Sequence, residues 1–118
     1  MTKKVYFLQT CDTCRRILKE VSLEDFEKQE IKANPITVDQ LKQLYGYTKS
    51  YEALFNKRAK LYREMALKEQ NLNEEDYRHY ILNEYTFLKR PVFIVGDHVF
   101  IGNSKSELQR LKEALNDA

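Results

Sequence analysis

Lys3-Lys4-Val5-Tyr6-Phe7-Leu8-Gln9-Thr10-Cys11-Asp12-Thr13-Cys14-Arg15-Arg16-Ile17-Leu18-Lys19-Glu20-Val21 is the stretch whose reading decides the fold. A short apolar run, residues 5–8, reads as a strand and stops at the polar pair Gln9-Thr10. Both cysteines of the chain, Cys11 and Cys14, come next. Cys14, Ile17, Leu18 and Val21 then recur at helical spacing, so the cysteine pair lies where a strand gives way to a helix. The first backbone N–H groups of a helix lack intrahelical partners, and the macrodipole adds partial positive charge there, so a thiolate is favoured over a thiol. Cys11 is read ahead of the first turn, with Arg15 and Arg16 close in sequence. Such surroundings lower a cysteine pKa from about 8.5 to roughly 3.5–7.5. Cys14, one turn further on, is placed to attack an adduct formed on Cys11 and release its partner.

Two other uses of a close cysteine pair fit less well. A structural disulfide belongs to small secreted chains that cannot build a core, whereas no signal peptide is expected here and the chain is long enough to bury one. Zinc would need further ligands, and the two histidines, His79 and His98, do not have the spacing of a finger. No metal site is expected. A C-x-x-C after an N-terminal strand in an intracellular protein points instead to redox chemistry.

At 118 residues, the chain is read as one domain, 1–118, burying about two-thirds of its unfolded surface. Three glycines and two prolines, with a charged fraction of 32%, fit a compact protein rich in helix. The apolar runs are far short of a membrane span, so no membrane association is expected. With 20 basic and 18 acidic residues, the net charge of +2 gives no reason to expect direct nucleic-acid binding. The expected location is the cytoplasm.

Taken in order, residues 3–8 read as the first strand and the helix from Cys11 or Asp12 runs to Val21, with Thr10 or Asp12 as its cap. Residues 25–31 read as a short, partly exposed second strand, returning parallel after the crossover helix. Asn34-Pro35 breaks the chain. Thr37 caps a helix whose buried stripe is Val38, Leu41, Leu44 and Tyr45, and Gly46 is expected to end it. A helical pattern in two pieces is predicted over 50–70, and Asn73 is read as the cap of another helix carrying Tyr77, Ile81 and Tyr85. Residues 37–88 thus form a helical insertion between the halves of a small sheet. The run Lys57, Arg58, Lys60 and Arg63 on that insertion reads as a solvated helix face balanced by Glu64 and Glu69, or as an anion or partner surface. Val92-Phe93-Ile94-Val95 and His98-Val99-Phe100-Ile101, separated by Gly96-Asp97, read as a hairpin with a two-residue turn, and His98 as a strand-edge residue. Asn103 or Ser104 caps a last helix with Leu108, Leu111 and Leu115 on one face.

That order, with Cys11-Asp12-Thr13-Cys14-Arg15, Phe55-Asn56-Lys57-Arg58-Ala59-Lys60-Leu61-Tyr62 and Lys89-Arg90-Pro91-Val92-Phe93-Ile94 followed by Val99-Phe100-Ile101-Gly102, resembles the arsenate reductase (ArsC) and Spx family over nearly the whole chain. The resemblance implies an α/β, thioredoxin-like fold: a small mixed sheet flanked by helices, with a helical insertion between its two halves. It makes Cys11 the nucleophile, Arg15 a neighbour stabilising thiolate or oxyanion, Arg90 an anion-binding arginine and Pro91 the counterpart of the family's cis-proline. Arg58 is a further anion-binding candidate. Arsenate reductases of this type usually have serine at the place of Cys14 and three arginines around the oxyanion. Here Asn56 stands where one is expected, residues 102–104 where another is, and Arg90 alone of the trio is retained. The C-x-x-C form is like Spx, a regulator that binds the RNA polymerase α-subunit and uses its cysteine pair as a redox switch.

The function expected from these readings is intracellular thiol–disulfide redox chemistry, with Cys11 attacking, Cys14 resolving and Arg90 assisting. No bound cofactor is expected. Glutathione or glutaredoxin is the implied reductant, and an oxidised thiol or an oxyanion the implied substrate. The alternative is an Spx-like regulator bound to the polymerase α-subunit.

Overall fold

The computed structural model of the chain describes residues 2–116. Two compact units are distinct, one formed by the described residues up to 34 together with those from 90 onward, the other by residues 35–89.

The first unit is built on strand β1 (Lys3–Phe7). Its middle residues Val5 and Tyr6 are fully buried, so side chains on both faces of the strand are covered and the run reads as apolar rather than alternating. Lys4 tolerates the same position because its Nζ reaches Glu27 Oε1 at 3.3 Å. Helix α1 (Asp12–Glu20) carries the chain across to β2 (Glu27–Glu30), which pairs parallel to β1 from Lys4↔Glu27 to Phe7↔Glu30. β3 (Val92–Val95) lies antiparallel on the other side of β1, and β4 (His98–Ile101) antiparallel to β3. The sheet order is β2-β1-β3-β4, the mixed arrangement that the thioredoxin-like resemblance implies. Gly96 turns the hairpin at φ 60, a left-handed conformation that costs glycine nothing. Ser104 caps α5 (Lys105–Asn116), its Oγ accepting the Glu107 N–H at 3.1 Å. Val5, Ile17, Phe26, Phe93, Phe100 and Leu111 then close one core, each aromatic or branched side chain contributing about 1.5–3 kcal/mol on burial.

One local expectation in this unit is corrected. The N-cap of α1 is Cys11 itself, not Thr10 or Asp12. Burial sets the phase: with Cys14 and Ile17 facing the core, the first helical residue is Asp12 and the half-turn ahead of it falls on Cys11.

In the second unit, α2 (Val38–Thr48) begins with a full capping box between Thr37 and Gln40. It does not stop at Gly46 but continues to Thr48, where Lys49 at φ 55 closes it by donating its N–H to Tyr45 O at 2.7 Å. One glycine costs a helix only about 1 kcal/mol, and the buried Leu41 and Leu44 anchor this one. Residues 50–70 are also less helical than their periodicity predicts: a 3-10 turn Glu52–Leu54, a five-residue helix α3 (Lys60–Glu64) and a second 3-10 turn Leu67–Glu69. The backbone is diverted because Phe55 pairs with Leu88, Asn56 N–H donates to Phe87 O at 2.7 Å and Lys89 N–H to Leu54 O at 2.9 Å. The ring of Phe55 is buried against Tyr62, Tyr77 and Phe87, with centroids 4.9–5.9 Å away. Helix α4 (Glu74–Asn83) has the predicted cap, a reciprocal box between Asn73 and Asp76. In the basic run, Lys57 Nζ donates to Glu52 Oε2 at 2.5 Å and Lys60 pairs with Glu64 at 3.6 Å, so two of its four cations are balanced locally. No helix among the described residues is long and apolar enough to cross a membrane.

Candidate active site

The loop 8–11 joins β1 to α1 as a tight turn, Cys11 N–H donating to Leu8 O at 3.1 Å. Cys11 keeps an extended backbone while its carbonyl accepts the Arg15 N–H at 3.0 Å, the first bond of the helix. Its sulfur does not close a cap as a serine or aspartate oxygen would. It nonetheless lies where the unsatisfied N–H groups of α1 converge, and the thiol is partly accessible. Cys14, the third residue of the helix, faces inward and is fully buried.

This placement separates the two thiols electrostatically. Burial opposes charge on Cys11, but the backbone N–H of Cys14, the Cys14 thiol and the guanidinium of Arg90 outweigh it and hold the Cys11 pKa below its ordinary value. Burial pushes the Cys14 thiol up to about 12, and negative charge on Cys11 adds to the effect. Cys11 is thus shifted toward the thiolate form, while its neighbour keeps its proton and donates toward it.

Arg90 and Pro91 enter the site from the residues preceding β3. The Arg90–Pro91 peptide bond is cis, as the resemblance implies, and Pro91 is buried. Arg15 is on the exposed side of α1 with its guanidinium held by Asp12. Arg58 is an exposed residue of the helical unit, its backbone N–H donating to Asn56 Oδ1 at 3.1 Å. Asn56 also donates from Nδ2 to Thr86 O at 3.2 Å, so it organises the local backbone where the resemblance would have an arginine. His98 opens β4 and is exposed. Among the described residues, no three His, Cys, Asp or Glu side chains come together as a metal site.

Sequence reasoning missed one residue at this end of the sheet. Glu30, the last residue of β2, accepts the N–H of Gln9 on Oε2 at 2.9 Å. No motif marks it; the signal available was only that a parallel return strand ends beside the loop leaving β1.

Sheet order, dithiol at a helix N-terminus and a cis-proline ahead of β3 define a thioredoxin-like α/β protein with a two-cysteine site. The ArsC family profile matches residues 6–111, and the chain belongs to the ArsC family. The global transcriptional regulator Spx of Lactiplantibacillus plantarum is 21% identical to it over 109 residues, 90% of this chain and 83% of the relative. Among solved structures, an ArsC family related protein from Bacteroides fragilis superposes with a TM-score of 0.75 at 22% identity, over 94% of this chain and 99% of that one. An arsenate reductase from Vibrio cholerae gives a TM-score of 0.74 at 19% identity, over 95% and 97%. These structural likenesses speak for the fold.

Proposed function

We propose that the protein is a cytoplasmic thiol–disulfide oxidoreductase in which Cys11 attacks and Cys14 resolves. The observation that carries this reading is the placement of the two thiols, Cys11 partly accessible at the N-terminus of α1 and Cys14 fully buried three residues on, which lowers the pKa of the first, through Cys14 and Arg90, and raises that of the second. The Cys11 thiolate attacks a substrate disulfide R–S–S–R′; a new S–S bond forms to R–S and R′–S⁻ leaves with the electron pair. Once Cys11 carries no charge, the contribution of that charge to the Cys14 pKa is gone. Cys14 then gives its proton to the departing thiolate or to solvent, attacks the Cys11 sulfur and releases R–S⁻. The Cys11–Cys14 disulfide is returned to the dithiol by two electrons from glutathione or glutaredoxin. A sulfenic acid enters by the same route with hydroxide as leaving group.

Arsenate is a poor fit for the same site. Each charge-assisted hydrogen bond to an oxyanion is worth about 1.5–3 kcal/mol. Replacing two of three family arginines, at Asn56 and residues 102–104, therefore removes about 3–6 kcal/mol, roughly a hundredfold to more than ten-thousandfold in rate. The test is turnover of a glutathione mixed disulfide against arsenate, each with glutathione and glutaredoxin. Disulfide turnover with Cys14→Ser trapped as a mixed disulfide on Cys11 is expected. Arsenate reduction at the rate of an enzyme with the full arginine set, undiminished in Cys14→Ser, overturns the reading.

The Spx relatives and the shared C-x-x-C favour a second reading, a redox-switched regulator that binds the RNA polymerase α-subunit. Pull-down with purified α-subunit, in the reduced and oxidised states, separates the two: capture without turnover supports the regulator.

A further inference from the structure

We infer that Glu30 is a positioning residue for Cys11: its carboxylate fixes the loop that delivers the nucleophile to the N-terminus of α1. The inference rests on the reading of Cys11 as the reactive thiol. Glu30 stands opposite Phe7, so it closes β2 where β1 ends. Ile31 N–H still donates to Phe7 O at 2.9 Å, and beyond that bond the two chains diverge. The Glu30 side chain bridges the gap. Its Oε2 accepts the Gln9 N–H at 2.9 Å, and its Oε1 accepts the N–H of Lys32 at 2.9 Å and of Ala33 at 2.7 Å. Three N–H groups from two segments converge on one carboxylate, and Gln9 is the second residue of the Leu8–Cys11 turn.

The alternatives to a side-chain clamp are weak at this point. Gln9 and Thr10 are exposed, so no core contact immobilises them, and α1 is anchored only from Cys14 and Ile17 onward. Between Phe7 and Cys14, buried Leu8 anchors the start of the loop and the Cys11 to Leu8 bond closes it, but at the exposed residues Gln9 and Thr10 the hold on the backbone is the Glu30 carboxylate. The distances from the Cys11 sulfur to the Cys14 N–H and to Arg90 are set by that loop. Glu30 is built to stay ionised: burial disfavours its charge, but the N–H groups of Ala33, Gln9 and Lys32, with the Lys32 ammonium, hold its carboxyl below the usual range.

The sign of one measurement separates positioning from simple electrostatics. Acting through space, a negative Glu30 disfavours a thiolate, so removing it would lower the Cys11 pKa. Acting through the loop, it preserves the contacts that favour the thiolate, so removing it raises the Cys11 pKa. The experiment follows the Cys11 13Cβ shift with pH in reduced wild type, Glu30→Ala and Glu30→Gln, which reads the ionisation whichever thiol reacts first. The expected result is an upward shift of about half a pH unit in Glu30→Ala, roughly threefold less thiolate below the midpoint. Glu30→Gln, whose single amide oxygen can serve the Gln9 side or the 32–33 side but not both, moves less in the same direction and carries the test if Glu30→Ala fails to fold. A faster-exchanging Gln9 amide should accompany both. An unchanged or lowered midpoint in the folded variants overturns the inference. Alkylation mapping of wild type in the same samples tests the underlying reading separately, since preferential labelling of Cys14 would overturn the assigned roles and leave the Glu30 result standing.

Discussion

The sheet unit and the helical unit are stabilised in different ways. In the sheet unit, two strand pairings between segments far apart in sequence, β1 with β2 and β1 with β3, and the β3–β4 hairpin fix the backbone, and the apolar core follows from them. In the helical unit, no strand ladder runs, and the ends of short elements are tied by individual side chains. Thr37 with Gln40 and Asn73 with Asp76 cap two helices, and the Glu74 carboxylate accepts the N–H groups of Tyr51 and Glu52 at 2.7 and 3.2 Å. A ladder distributes its restraint over many bonds, whereas a cap concentrates it in one. The two thiols sit in the unit with the distributed restraint, at the point where the β1–β2 ladder ends and the Glu30 carboxylate holds the loop that leads into α1.

The comparison is sharpened most by a change that removes chemistry and leaves the ladder alone. Cys11→Ser should lower disulfide turnover at least about a thousandfold, because a serine hydroxyl stays protonated at neutral pH and the remaining thiol, Cys14, is fully buried and held protonated. Thermal melting should not fall, and should rise slightly, since Cys11 is partly accessible and a serine oxygen at this N-cap can close the cap bond that the sulfur does not. Steady-state rates beside a melting curve check both halves.

In the helical unit, the sensitive point is a single ring. Phe55 is 1% exposed and touches Tyr62, Tyr77 and Phe87, so Phe55→Ala should cost about 3–5 kcal/mol in chemical denaturation. A loss below about 1 kcal/mol would show that the unit does not depend on its aromatic cluster in the way described.

The thiols add a pH signature to the sheet unit. Cys11 is lowered from 9.0 in the native state, so between its native value and 9.0 the unfolded chain binds more protons and stability rises with pH. Cys14 is raised to about 12, so from 9.0 upward the native state binds more protons and stability falls. Cys14→Ala should remove this contribution and leave the decline due to buried Tyr6, whose hydroxyl is raised from 10.0 to about 12. Urea unfolding of wild type and variant at a series of pH values reads the difference, and parallel curves above pH 9.0 would contradict the assignment for Cys14.

How far the sequence could be read follows the same division. β1, the hairpin strands with their turn at Gly96-Asp97, and the buried faces of α1 and α5 are written in local periodicity, whereas β2, Glu-Lys-Gln-Glu, has no clean alternation of its own. Arg90 beside Cys11 is not, because an antiparallel pairing of β1 with β3 brings it there, and the resemblance rather than any spacing pointed to it. In residues 50–70, the helical period was present but lost to the bridge between Phe55 and Leu88, a contact invisible to any short window. Glu30 was illegible for a simpler reason: a glutamate at a strand end looks like a solvated one until the loop it grips is in place.

The smallest expected effect tests whether the helical unit carries local strain that the sheet unit does not. Ala66 adopts φ 53, ψ 38 immediately before the 3-10 turn Leu67–Glu69, a left-handed conformation held without a glycine. For an L-residue with a Cβ that conformation costs about 1–2 kcal/mol. Ala66→Gly relieves it but enlarges the freedom of the unfolded chain, which returns about 0.5–1 kcal/mol. The net is a gain of about 0.5–1 kcal/mol. The control is Ala53, exposed within the 3-10 turn Glu52–Leu54, where the backbone needs no glycine and the same substitution carries only the entropic loss. Ala66→Gly should therefore raise the denaturation midpoint and Ala53→Gly lower it. Equal, downward shifts at both positions would mean that Ala66 is not strained in solution, and the contrast drawn between the two units would rest on caps and rings alone.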